Sequence, residues 1–196
     1  MPPPSPGGDD ALRRTVRLVA LLNLAYFSVE FAVALAIGSV SLFADSVDFL
    51  EDASLNLLVL LALGWSTSRR AKLGMALACL LLVPGLATLW TAWAQFADPA
   101  PPAPVPLTLA GTGALAVNAA CALLLARFRR HGGSLTRAAF LSARNDVAAN
   151  MAIIGAGVVT ASTLSAWPDL VVGLGIAAMN ADAAREVWGR LRRRDG

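Results

Sequence analysis

Residues 44–56 read ADSVDFLEDASLN. Four carboxylates, Asp45, Asp48, Glu51 and Asp52, fall within eight positions, yet GSVSLF precedes the stretch and LLVLLALGW follows it. An apolar run long enough to cross a bilayer normally excludes charge, because an ionised Asp at mid-bilayer costs about 2.5–3.5 kcal/mol even on the lenient insertion scale. Acids retained at such depth mark an ion or substrate path by default. Whether this segment is a span therefore decides both the fold class and the kind of function to look for.

The composition answers the first part. The 196 residues are 57% hydrophobic and 15% charged, with mean hydropathy +0.63. A soluble domain is about half apolar and about a quarter charged. The chain reads as an all-α membrane protein with six runs near the ~20 apolar residues that a bilayer core requires. They cover about 15–37, 41–64, 73–95, 106–127, 137–161 and 166–188, and the fifth and sixth are the weakest by hydropathy because they carry Asp146, Asn150, Asn180 and Asp182. ALRRTVRLVALLNLAYF has the basic-then-apolar order of a signal peptide, but its apolar part is too long, so it reads as a retained first helix. Residues 1–12, opening on the Pro/Gly-rich MPPPSPGGDD, read as a disordered tail; 13–190 read as the membrane domain and 191–196 as a basic tail.

The net charge of +3 and pI ≈ 9.5 raise the question of nucleic acid, and the placement of the basic residues answers it. Arg13, Arg14 and Arg17 precede the first span, and Arg69, Arg70 and Lys72 separate the second from the third. Arg127, Arg129, Arg130 and Arg137 separate the fourth from the fifth, and Arg185, Arg190, Arg192, Arg193 and Arg194 end the chain. The other three linkers hold no Lys or Arg. Alternating basic linkers predict six spans with both termini cytoplasmic, and they make the basic residues topological determinants rather than a nucleic-acid surface. Trp65, Trp90, Trp93, Trp167 and Trp188 fall at span ends, where indole prefers the interface. Arg144, two turns into the fifth span, reads as snorkelling back to the cytoplasmic interface. Cys79 and Cys121 sit in apolar runs and read as buried or lipid-facing thiols, and His131, the single histidine, as a solvated loop residue.

With Val40 at the outer end, Asp48 and Asp52 lie about 12 and 18 Å deep at ~1.5 Å per residue, bracketing the middle of the core. They are four apart and share a face, with Asp45 and Asn56 close to the same stripe. Glu51 is about 60° off Asp48 at ~100° per residue and carries no assigned role. The fifth span repeats the pattern: Ser142, Asp146 and Asn150 at i, i+4, i+8, with Asn145 beside them. Two polar faces at similar depth can enclose a cation, and oxygen ligands suit a divalent one. The metal-site residues expected are Asp48, Asp52, Asp146 and Ser142, with weaker claims for Asp45, Asn145 and Asn150. Glu30, Asn23, Asn118 and Asn180 read as interhelical hydrogen-bonding residues, Glu30 standing out as a charge deep in the first span. D-x-x-x-N recurs from Asp52 and from Asp146 in helices of opposite direction, a pattern compatible with a 3+3 inverted pseudo-repeat.

The run N-x-x-Y-F-x-x-E from Asn23 to Glu30, followed by GSVSLFADSVDFLEDASLNLL, resembles the first two helices of the cation diffusion facilitator family. SARNDVAANMAIIGAG resembles that family's fifth helix and WPDLVVGLGIA the start of its sixth, so the likeness covers about residues 15–190. It implies a carrier that exports divalent metal ions (zinc-, manganese-, cobalt- or iron-like) from the cytoplasm across the plasma membrane in exchange for protons, as a homodimer or with a family partner. It places ligands at Asp48, Asp52, Ser142 and Asp146. Here Asp48 and Ser142 stand where that family often has His. Without imidazole the donor set is all oxygen, which tilts the choice from zinc towards a harder ion such as manganese. The sequence stops at Gly196, just after the sixth span, so the cytoplasmic domain typical of that family is not expected in this chain. The alternative it leaves is a non-transporting, metal-binding regulatory subunit. An intramembrane aspartyl protease built on Asp52 and Asp146 lacks its Y-D and G-x-G-D signatures, and no G-x-S-x-G or P-loop points to an enzyme.

Overall fold

The computed structural model describes residues 6–61, 67–128 and 133–192. Six helices account for nearly all of them: α1 (Pro6–Ile37), α2 (Val40–Leu61), α3 (Thr67–Ala97), α4 (Pro104–Ala126), α5 (Gly133–Thr163) and α6 (Trp167–Arg192). Trp65 and His131, and the side chains of Arg69, Arg70, Lys72, Cys79, Arg137, Asp182 and Trp188, lie outside the described part. α1, α3, α5 and α6 run on beyond the apolar runs. α1 begins at Pro6, within the stretch read as a tail, and the basic segment before the third run already belongs to α3.

Each helix stops for a local reason. α1 ends where Gly38 takes φ +66, the left-handed conformation glycine adopts without a Cβ penalty, and its N–H bonds back to the Ala34 carbonyl at 2.8 Å. α4 starts with Pro104 in its first turn, where the missing N–H is no loss. Leu164 ends α5 at φ 50, its N–H on the Thr160 carbonyl at 2.9 Å.

Three helices among the described residues are long and apolar enough to cross a membrane by length and composition: Asp10–Ile37, Pro104–Ala126 and Ala139–Thr163, the last with the lowest hydropathy at 1.2. α2 carries its four acids within a span-length helix of 22 residues. The large hydrophobic residues on the outside of the bundle, such as Leu86, Leu89, Trp90, Trp93, Leu109 and Leu123, are more than half exposed, as lipid-facing positions require. Among the described residues the protein is all-helical and fits an all-α membrane protein.

α2 packs against all five other helices and is the axis of the bundle. Every residue from Ser39 to Ser46 is buried. Consecutive helices run in opposite directions, so α2 and α6 start at the same end. At one end Ser39 and Val40 of α2 meet Asp169 at the start of α6, and Gln95 near the end of α3 donates to the Gly38 carbonyl at 2.7 Å. At the other end Arg127, just past α4, donates to Thr15 of α1 at 2.9 Å. The second is called the basic end, since Arg13, Arg14, Arg17 and Arg127 gather there; the first is the distal end. α4 and α5 make the broadest contact in the bundle. A Cβ on Gly111 would meet Ile153 at 2.9 Å and one on Gly157 would meet Thr108, so small residues set how closely these two helices approach.

Candidate cation site

The acids of α2 separate into distinct environments. Asp48 is half-buried and Glu51 exposed, while Asp45 and Asp52 are 0% and 2% exposed. Asp48, Glu51, Ser142, Asn145, Asp146, Met179 and Asn180 line one cavity of ≈ 140 Å³ between α2, α5 and α6. Glu51, Asn145 and Met179 are exposed, so one side of the cavity opens to the surface. Asp52 lies behind this wall, its carboxylate within hydrogen-bonding reach of the Ser142 hydroxyl. The two polar faces expected from spacing therefore come together: α2 supplies Asp48 and Asp52, and α5 supplies Ser142 and Asp146. Asn145 joins them at the rim.

Asp45 and Asn150, the outer members of the two stripes, do not reach the cavity. Asn150 Nδ2 donates to Asp45 Oδ2 at 2.6 Å, and Asn118 Nδ2 of α4 donates to Asn150 Oδ1 at 3.0 Å. The three residues, all buried, bridge α2, α5 and α4 on the distal side of the cavity. Asn118 is thus an interhelical hydrogen-bonding residue, as its position in an apolar run implies, and Asn23 accepts from the Cys121 thiol at 3.8 Å. Asn56 turns back on its own helix, its amide donating to the Asp52 carbonyl at 2.8 Å.

Spacing leaves two residues without a place at the site and misses a third. Glu51 is off the Asp48/Asp52 stripe, yet it borders the cavity because α6 closes the third side. Asn180 of α6, read from the sequence as an interhelical hydrogen-bonding residue, borders it too. The missed residue is Asp169. It is 0% exposed and accepts from Ser39 Oγ (2.7 Å), Ser41 Oγ (2.5 Å), the Val40 N–H (2.7 Å) and the Ser41 N–H (3.3 Å). The α6 carboxylate caps the N-terminus of α2 from outside, where backbone donors are unpaired and the helix dipole favours negative charge. Ser39 Oγ caps the same helix internally, accepting from the Leu42 N–H at 3.2 Å.

Among the described residues, no three Asp, Glu, His or Cys side chains converge closely enough to form a finished metal cage. The geometry is an open set of oxygens on two helices that must draw inward to surround an ion.

A family model for the cation efflux transmembrane domain matches residues 16–188, nearly the whole chain. The chain belongs to the cation efflux family. Its membership makes the protein an integral membrane cation transporter, with the bilayer as its solvent and a cation as its substrate. The match covers all six helices, so the cavity between α2, α5 and α6 lies wholly within the cation efflux domain. A search of curated proteins finds no match.

Proposed function

We propose that the protein exports a divalent metal ion from the cytoplasm in exchange for protons, across the plasma membrane and as a homodimer. Asp48, Asp52, Asp146 and Ser142 hold the ion. The observation that carries this reading is the meeting of the α2 and α5 polar faces at one cavity, with Asp48, Ser142 and Asp146 on its wall and Asp52 against Ser142. Carboxylates and a hydroxyl are hard oxygen donors, so the ion class is manganese- or zinc-like, with cobalt and iron next. The same carboxylates are the groups that exchange metal for protons, since no histidine lies in a described helix. The alternating basic linkers support cytoplasmic termini and place the cavity within reach of that side.

The unfinished cage keeps a second reading in view, a family member that binds metal without moving it. One experiment separates the two. The purified protein in liposomes, under a pH gradient, is expected to move Zn²⁺ or Mn²⁺, and Asp52→Ala and Asp146→Ala are each expected to abolish that flux. Flux unchanged by both substitutions would sink the assignment of the site, and metal binding without flux in the wild type would establish the non-transporting reading.

A further inference from the structure

Beyond the cavity, towards the distal end, α1 and α2 bring two more carboxyl groups together. Glu30 and Asp45 are both 0% exposed. Neither oxygen of Glu30 has a hydrogen-bond partner, nor does Asp45 Oδ1; Asp45 Oδ2 alone is served, by Asn150. The two carboxyl groups lie within hydrogen-bonding reach of each other. Three of the four buried carboxyl oxygens thus have no donor.

The surrounding donors are already committed. Asn118 Nδ2 serves Asn150, and the Tyr26 hydroxyl donates to the Ala110 carbonyl at 2.6 Å. No lysine or arginine occurs between Arg17 and Arg69, within α4 before Arg127, or between Arg144 and Arg185, so no side-chain cation is available at this level from α1, α2, α4 or α5. Buried carboxyl groups in contact, with neither a free donor nor a basic partner, need a positive charge between them, supplied by a shared proton or by a metal ion that displaces it.

We infer that Glu30 and Asp45 form a second station for the transported metal ion, one turn of α2 beyond the cavity towards the distal end. The inference rests on the transport reading above. Asp45 precedes Asp48 by one turn on the same stripe, so an ion leaving the Asp48/Asp146 wall along α2 meets Asp45 next, with Glu30 of α1 opposite. Two carboxyl groups offer oxygen ligands of the kind a hard divalent ion takes, but fewer than a cage needs. That suits a point the ion passes rather than one where it rests. Asn150, bonded to Asp45 at 2.6 Å, must release that carboxylate for the ion to be held there.

The test uses the purified full-length chain with Mn²⁺ and Zn²⁺ as probes, measuring equilibrium binding in detergent and flux in liposomes. Glu30→Gln keeps shape and hydrogen bonding but removes the charge. It is expected to leave binding at the cavity within about twofold while lowering maximal flux by about tenfold at unchanged half-saturation, the split that marks a step after binding. Glu30→Asp restores part of the flux. In Glu30→Cys, added Cd²⁺ is expected to give a thiolate-to-cadmium charge-transfer band that the wild type lacks. Wild-type flux in Glu30→Gln overturns the station and assigns the pair a fixed proton instead. Loss of cavity binding in Glu30→Gln overturns it in favour of a purely structural role, and Cd²⁺ flux through Glu30→Cys without the band does the same. A wild type that binds no metal at all refutes the transport reading itself and the station with it, a result distinct from failure of the variants alone.

Discussion

Removing the Asp169 carboxylate tests the least expected contact in the bundle. In Asp169→Ala, two hydroxyl groups and two backbone N–H groups at the start of α2 lose their acceptor. In soluble proteins a hydrogen bond to a charged group is worth about 1.5–3 kcal/mol. Between membrane helices the average is lower, about 0.6 kcal/mol with a maximum near 1.7, because the unfolded state in the membrane finds other partners. Two considerations place this site above that average. The bonds at 2.5 and 2.7 Å are short, and the carboxylate also meets the positive end of the α2 dipole, worth up to ~2 kcal/mol when partly buried. Two others limit the loss. Ser39 Oγ still caps the Leu42 N–H, and the site lies at a helix end, where water can reach freed donors once the side chain is gone. The expected destabilisation is about 2–4 kcal/mol for Ala. For Asn it is about half, since one carbonyl oxygen can still accept from two donors. Unfolding free energy in mixed micelles, followed by tryptophan fluorescence, measures both variants. An Asp169→Ala change below ~0.5 kcal/mol would show that the clamp holds nothing together and that the α2–α6 contact rests on packing alone.

Two further predictions concern packing and ligand chemistry. A Cβ on Gly173 would lie 2.6 Å from the Val40 carbonyl carbon and 2.7 Å from the Ser41 nitrogen, backbone atoms that cannot swing aside, whereas one on Gly155 meets nothing within 4 Å. Gly173→Ala is expected to lower stability by about 1–3 kcal/mol as α6 is pushed off α2, while Gly155→Ala is neutral or stabilising by up to ~1 kcal/mol through helix propensity; equal effects of the two in the same unfolding assay would refute the close approach. Ser142→His places an imidazole on the cavity wall and is expected to raise zinc affinity relative to manganese by about tenfold, or 1.4 kcal/mol, and competition binding of the two ions on purified protein would expose an unchanged ratio.

Much of the bundle is legible in the sequence because membrane helices are coded by composition and length. Six apolar runs predict six helices, and only their ends shift, since a helix that leaves the bilayer keeps its backbone bonds and runs on through basic residues such as Arg69 and Arg70. The meeting of α2 and α5 is legible for a related reason: intramembrane acids at i, i+4 must face inward, and two such faces have few places to go other than each other. What period alone cannot show is the third wall. Glu51 lies off the α2 stripe and Asn180 on a helix with no clear stripe, yet α6 brings both to the cavity. The Asp169 contact is not legible in the sequence. An acid in the first turn of a helix after proline reads as a cap for its own helix, and nothing in WPDLVV says that it serves the start of α2 instead. The signal that was present is on the other side: GSVS after an apolar run is a helix start whose N–H groups need an acceptor, and Ser39 alone cannot serve them all.

Taken together, these contacts constrain how an ion could pass. The cavity at Asp48 and Asp146 is open at the surface, while distal to it Ser39 to Ser46 are buried and Asn150 joins Asp45 to Asn118 across three helices. On the proposed transport reading, an ion leaving the cavity along α2 meets the Asn150–Asp45 bond first. α6 cannot easily be the element that moves away from α2, since Asp169 and the Gly173 contact fasten the two at the distal end. Nor can α4 and α5 easily separate, given their broad glycine-lined interface. The division that breaks the fewest of these contacts runs between α2 with α6 on one side and α4 with α5 on the other. The cavity carboxylates Asp48 and Asp146 stand on opposite sides of that line, so the proposed transport makes closing around an ion and opening towards the distal end two phases of the same relative motion.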